Sequence, residues 1–236
     1  MTTERTGTEA NPRASCGVLW DIDGVIVDSA EQHRLSWKQL AVENSFPYTD
    51  EAFWAGFGRR NSDVIPQMFG VEGPPERVAD LGERKEQIYR ALLAEQATAL
   101  PGARELMAGL HAAGYRQALG SSAPAENIRT IIALLGLGDW VEGYVSGESV
   151  AHGKPAPDIF LACAERLGVA PVRCLVIEDA VAGIQAAHAG GMRCLAVRRA
   201  GQADPPGLEA ADQIVTSLVE ASPALVDRLL GLADRR

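Results

Sequence analysis

The chain has 236 residues, 47% of them hydrophobic and 22% charged, with a formal net charge of -9. That length and apolar fraction suit one large domain, or one domain carrying an insertion, with enough apolar residues for a real core. The acidic balance argues against nucleic acid or an anionic membrane as a partner, because the field repels both, and a small anionic substrate would need local positive charge or a metal.

No apolar run is long enough to span a bilayer. Cys16, Cys163, Cys174 and Cys194 form no CxxC pair and lie in apolar runs, so they read as buried free thiols of a reducing compartment. Met1 to Ser15 is polar and has no apolar centre; it is unlike a secretory signal and is expected to be a disordered tail. A cytoplasmic location follows by default, and a monomer is the favoured state.

In chain order, Cys16 to Asp21 is a short apolar run that stops at acidic residues, which predicts a buried strand. Residues from about 29 to 98 carry helical segments (30–43, 62–68 and 76–95) and no convincing strand. That is too long for a simple connection, and it predicts a small helical cap domain inserted after the first strand, able to move as a lid. Beyond Pro101 the pattern alternates regularly. Helices are predicted over 101–113, 125–135, 157–167 and 180–189, and strands over 115–119, 141–145, 174–177, 194–197 and 213–215. Pro205-Pro206-Gly207 reads as a loop. Such alternation predicts an α/β fold, a parallel sheet covered by helices on both faces. The core domain would comprise 16–28 and 99–236, and the cap 29–98.

The polar clusters fall at predicted strand ends, where such sheets bind ligands. Asp21 and Asp23 are two apart, so in an extended segment both carboxylates face one site. They repel unless a cation intervenes, which suits one to act as a nucleophile and the other as an acid. Gly24 permits a tight turn that brings backbone N–H groups toward an anion. Glu178 and Asp179 add a second acidic pair; four carboxylates at neighbouring strand ends call for a hard divalent cation, and oxygen ligands point to Mg2+. Lys154, among rigidifying prolines, can offset phosphate charge, and Ser121 and Ser122 offer hydroxyl and N–H groups. Singly, each has a bland reading: an acidic loop, a helix N-cap (Asp179), a solvated lysine, an ordinary turn.

Together, Asp21-x-Asp23-Gly24-Val25, Ser121, Lys154-Pro155 and Glu178-Asp179 resemble the four ordered motifs of the haloacid dehalogenase superfamily. Asp28 to His33 with Trp37, Lys154 to Phe160 and Ala182 to Ala186 are similar to its beta-phosphoglucomutase-like phosphatase branch. The resemblance implies a Rossmann-like core with a helical cap. It implies that Asp21 attacks phosphorus and ligates magnesium, and that Asp23 serves as general acid and base while its backbone carbonyl ligates the metal. Ser121 would hydrogen-bond the transferring phosphoryl group, Lys154 would offset its charge, and Asp179 would ligate magnesium, with Glu178 acting directly or through water. His33 falls where the mutases keep a lid-hinge histidine; a histidine without catalytic role fits equally well.

Retention of Asp23 argues against dehalogenase and phosphonatase activities. In the mutases a lid arginine and a lysine after the motif-two serine hold a second phosphate. Here Asn61 takes the arginine's place, with Arg59 and Arg60 adjacent, and Pro124 replaces the lysine. The expected function is therefore a phosphatase acting on a small phosphomonoester, with Arg59, Arg60 and Asn61 contacting substrate. A phosphosugar mutase is the alternative. A phosphoprotein phosphatase is disfavoured by the sizeable lid, and a non-catalytic phosphate-binding regulator by the complete set of catalytic residues.

Overall fold

Gly17–Trp20 (β1) is wholly buried, a run too short and too apolar to be anything but an interior strand. The computed structural model describes residues 11–71, 74–198 and 204–232. After β1 come four helices, Ala30–Asn44 (α1), Asp50–Gly56 (α2), Asn61–Phe69 (α3) and Pro75–Gln96 (α4). Alternation then begins with Ala103–Ala113 (α5), Arg116–Ser121 (β2), Ala125–Leu135 (α6), Tyr144–Ser146 (β3) and Asp158–Arg166 (α7). Cys174–Glu178 (β4), Val181–Ala189 (α8), Arg193–Val197 (β5), Gln213–Val215 (β6) and Pro223–Leu229 (α9) complete it.

All six strands are parallel, in the order β3-β2-β1-β4-β5-β6. Successive residues feed opposite faces. Val18 and Trp20 join a core with α5, α6 and α9, whereas Leu19 joins one with α7 and α8. The expected three-layer α/β/α arrangement is thus present. Trp20 hands its indole N–H to the buried Gln117 Oε1 at 3.0 Å, so even this central aromatic leaves no unmet donor. All four cysteines are buried free thiols.

Helices α1 to α3 enclose a core of their own, built on Trp37, Leu40, Phe53, Ile65 and Phe69. Tyr89 and Leu93 of α4 belong instead to the core under the sheet, which ties the helical layer to it. Two helices lie outside the sequence-based expectation, α2 and α9, each of seven residues. Their signals are hydroxyl N-caps: Thr49 accepts from Ala52 N at 3.1 Å, and Ser222 from Leu225 N at 3.3 Å. Periodicity over so few residues is too short to read. Strand β2 runs two residues further than expected, placing Ser121 within it, and β3 starts at Tyr144, just after Gly143 at φ 150°.

The expectation of a disordered tail over 1–15 does not hold for 11–15, and 1–10 lie outside the described residues. Pro12–Ser15 forms a 3-10 turn capped by Asn11. Arg13 reaches Asp227 through two hydrogen bonds of 2.9 and 2.6 Å, and Tyr115 donates to the same carboxylate at 2.6 Å. A forked guanidinium on a shared carboxylate is geometry enough to order a polar segment. Asp227→Ala leaves both donors unmatched. It is expected to lower unfolding free energy by about 2 kcal/mol, measured in urea at unchanged m-value.

Candidate active site

The strand order places the site. From β1 the chain winds outward through β2 to β3, then returns to the other side of β1 as β4, so ligand-binding crevices open at the carboxyl end of the β1/β4 pair. Trp20 is level with Leu119 and Ile177, which sets Asp21 beside the ends of β2 and β4. Asp21 N confirms the pairing by donating to Ile177 O at 2.9 Å. Asp21, Ser121 and Glu178 therefore meet because three adjacent parallel strands end there.

Lys154 binds them together. Its buried ammonium donates to Asp21 Oδ1 at 2.5 Å, to Glu178 Oε1 at 2.7 Å and to Gly120 O at 3.4 Å. Glu178 turns its other oxygen to the backbone N–H groups of Asp179 and Ala180, both at 2.7 Å. The carboxylate serving those N–H groups is thus Glu178's, and α8 begins without the side-chain cap that Asp179 could have supplied. Two glycines make room for the acids. A Cβ at Gly183 would stand 1.7 Å from Glu178 Oε1, and one at Gly24 would stand 2.0 Å from Asp179 Oδ2. Gly24, at φ 84°, donates its N–H to Val27 O at 2.9 Å. Its own N–H is therefore taken within the turn, and its lack of a side chain makes room for Asp179.

Asp21, Glu178 and Asp179 are all buried, and an oxygen of each lies within 4.8 Å of the others. Burial pushes the Asp21 carboxyl well up; Lys154 opposes this, and the charges of Glu178, Asp179 and Asp23 add to the rise. For Lys154 the balance is reversed: burial pulls its pKa down, but Asp21 and Glu178 outweigh it and the net shift is upward. One ammonium against three buried carboxylates leaves negative charge uncompensated, and an all-oxygen donor set of this size fits a hard divalent cation. The residues present therefore fit a metal.

Asp23 lies outside that cluster. Its Oδ1 accepts from Ser29 Oγ at 2.5 Å, His33 Nε2 at 3.1 Å and Tyr89 OH at 3.2 Å. His33 lies flat on Tyr89 at 3.9 Å, and its Nδ1 accepts from buried Lys85 Nζ at 2.7 Å. With the ammonium on Nδ1, the ring hydrogen is on Nε2 and faces Asp23. Burial alone would raise the Asp23 carboxyl, but His33, the Ser29 hydroxyl and Lys85 outweigh it, and its pKa is depressed.

A cavity of about 720 Å³ separates this sheet edge from the helical layer, lined by Asp21, Asp23, Ser121 and Ser122 on one side. The Ser121 hydroxyl accepts from Ala123 N at 3.1 Å, which leaves its hydrogen to donate. Ser122 Oγ is buried without a hydrogen-bond partner among the described residues. His33, Arg59, Arg60 and Asn61 line the opposite side. Each of the last three has a protein partner. Arg59 donates to Gln67 at 2.6 Å, and Asn61 to Glu86 at 2.7 Å. Arg60 pairs with Asp63 at 3.3 Å and reaches the carbonyls of Val150 and Ala151 at 3.5 and 3.3 Å.

A family model described as a haloacid dehalogenase-like hydrolase matches residues 17–191. The chain belongs to this family. Among curated relatives, the fructose-1-phosphate phosphatase YqaB of Escherichia coli is 33% identical over 186 residues, 77% of this chain and 96% of the relative. A beta-phosphoglucomutase of Bacillus subtilis is 34% identical over 195 residues, 80% and 84% of the two chains. Of solved structures, a beta-phosphoglucomutase from Clostridium difficile superposes with a TM-score of 0.82 at 24% identity, covering 93% of this chain and 99% of its own, which shows the shared fold. The chain is accordingly an enzyme of this hydrolase family, with phosphatases and phosphomutases as relatives.

Sequence reasoning missed Ser29, Lys85, Glu86, Tyr89 and Asn127. Lys85 and Tyr89, four apart on α4, share the face that meets α1; that spacing was the available signal.

Two expectations follow. Gly183→Ala inside a helix ordinarily gains about 1 kcal/mol. Here the methyl displaces Glu178, so lower urea stability is expected together with roughly a hundredfold loss of turnover. Because the Asp23 pKa is depressed on folding, the unfolded chain binds the additional proton, so its stabilising contribution is present above the ordinary carboxylate range and is lost as pH falls through and below it. Between about pH 5 and pH 3, Asp23→Asn should show a shallower decline of stability than the parent.

Proposed function

We propose that the protein is a magnesium-dependent phosphatase that hydrolyses a small phosphomonoester, a sugar phosphate by preference, through a phosphoryl group carried on Asp21. The observation that carries this reading is the buried Lys154 ammonium held between Glu178 and Asp21, of which Asp21 itself lines the cavity. Once ionised, a carboxylate fixed beside a cation is placed to attack an electrophile that bears negative charge.

In this reading an Asp21 oxygen forms the new bond to phosphorus as the ester P–O bond breaks. Lys154 and the Ser121 hydroxyl meet the charge on the phosphoryl oxygens, and the unpartnered Ser122 Oγ supplies a further donor. Asp23 protonates the departing oxygen, then takes a proton from the water that hydrolyses the acyl phosphate. It is held ionised here, the state the second step requires; like-charge repulsion from an arriving phosphate raises its pKa for the first. Asp21, Asp179, the Asp23 carbonyl, and Glu178 directly or through water would hold Mg2+. When bound, the ion neutralises the acidic cluster and the phosphate together. Helices α1 to α4 would act as a cap that excludes water.

Hydrolysis is preferred to mutase chemistry on a specific ground. A mutase must hold an intermediate with two phosphates, and the cap-side donors Arg59, Arg60 and Asn61 already have partners within the protein. The net charge of -9 supports a small-molecule substrate over nucleic acid or membrane. No helix among the described residues is long and apolar enough to cross a membrane. We place the enzyme in the cytoplasm as a monomer.

The test is phosphate release from a panel of sugar phosphates, with magnesium and with a chelator, alongside acid-quench trapping of phosphoenzyme. Release should need the metal, and Asp21→Asn should lose at least about a thousandfold of it with no trapped phosphate. Isomerisation of a hexose phosphate with little release would instead establish the mutase.

A further inference from the structure

On the helical wall of the cavity stands a buried carboxylate that the chemistry above does not use. Glu86 of α4 is 2% exposed, yet it lines the cavity beside Asn61. Its Oε1 accepts from Asn61 Nδ2 at 2.7 Å and from Lys85 Nζ at 2.9 Å. Its Oε2 accepts from Asn127 Nδ2 of α6 at 2.6 Å, and Asn127 Oδ1 in turn accepts from Arg90 Nη1 at 3.1 Å. Burial would raise the Glu86 carboxyl, but Lys85, His33 and the two amides outweigh it and the group stays ionised.

Two consequences follow from that anion. First, an ionised carboxylate accepts only, so both asparagines must turn their nitrogens toward it. Asn61 is left with its carbonyl oxygen, an acceptor, as the other end of its amide. Second, the Lys85 ammonium, which sits over the rings of Trp37 and Tyr89 at 5.3 and 5.0 Å, is neutralised by its neighbour. The cap wall therefore carries a lysine without presenting its net charge. A second phosphate brought against the Asn61–Glu86 stretch of this wall would meet the buried Glu86 anion and an amide carbonyl, while Arg59 and Arg60 beside it are engaged with Gln67, Asp63 and the Val150 and Ala151 carbonyls. A hydroxyl finds an acceptor there.

We propose that Glu86 is the specificity-determining residue of the cap, setting the wall to take a neutral, hydroxyl-bearing leaving group and to reject a second phosphate. This rests on the phosphatase reading and specifies its substrate class as monophosphates of polyols or sugars. Glu86 acts through Asn61 and Lys85 and is a positioning residue, so its signature is a change in discrimination and not in rate alone.

The experiment uses the full chain with magnesium and p-nitrophenyl phosphate as reporter. Inhibition constants are measured for a hexose monophosphate and for the bisphosphate of the same hexose. The parent should bind the monophosphate more tightly by about tenfold or more, the scale of one unfavourable charge contact. Glu86→Gln uncovers the Lys85 charge and should shrink or invert that ratio by about tenfold, while Glu86→Asp, which keeps the charge, should largely retain it. Equal or tighter bisphosphate binding by the parent overturns the proposal, even if Glu86→Gln does not fold. An unchanged ratio in folded Glu86→Gln overturns it also. Both failures leave the parent's magnesium-dependent hydrolysis of the reporter intact. Loss of the phosphatase reading itself shows differently, as absent magnesium-dependent hydrolysis by the parent, and takes the proposal with it.

Discussion

Three carboxylates buried together at the end of a sheet would ordinarily be a defect, and the Lys154 ammonium is what makes the arrangement tenable. Its bonds to Asp21 and Glu178 span β1 and β4, the two strands on either side of the point where the winding reverses. One bond draws the proposed nucleophile toward its ionised form against the cost of burial. The other fixes Glu178, whose remaining oxygen then receives the N–H groups that lead into α8. Remove the ammonium and both strand ends carry unpaired charge in a dry setting.

Around this pair the backbone has been shaped by subtraction. Gly24 and Gly183 carry no side chain where Asp179 and Glu178 must lie. Asp23, the proposed acid and base, is held by a separate system, Ser29, His33 and Tyr89, with Lys85 behind the imidazole. The two aspartates are thus two residues apart in sequence yet sit in opposite environments, one raised by burial and neighbouring anions, the other lowered by its donors. Environments that pull paired acids apart are what acid-base chemistry at one pH requires.

Much of the core was legible in the sequence because its logic is local. Apolar runs that stop at acids announce strand ends, and glycines such as Gly114 and Gly136, both at positive φ, announce helix ends. Helix α6 was read to the residue. The cap network was not legible, for a physical reason. Arg84-Lys85-Glu86 reads as a solvated charge run, and only the packing of α4 on α1 and α6 turns two of those three side chains inward. At Gly24 the tight turn was legible, but the carboxylate of Asp179 that it admits was not, because that neighbour is distant in sequence. Arg59 and Arg60 line the cavity, but Gln67 holds Arg59, and the carbonyls of Val150 and Ala151, about 90 residues on, hold Arg60.

The place of the helical layer between β1 and β2 carries a consequence for how this architecture can change. Gly17 pairs with Arg116 across the whole insertion, so the sheet forms by closing a loop of about 100 residues. The entropic penalty of such closure grows only with the logarithm of loop length, about 0.6 kcal/mol per doubling. Lengthening a short connector into this four-helix segment therefore burdens the sheet by little more than a weak hydrogen bond. A chain organised in this way is free to exchange or enlarge the helical wall of the cavity while the strand ends that gather the buried acids stay where they are.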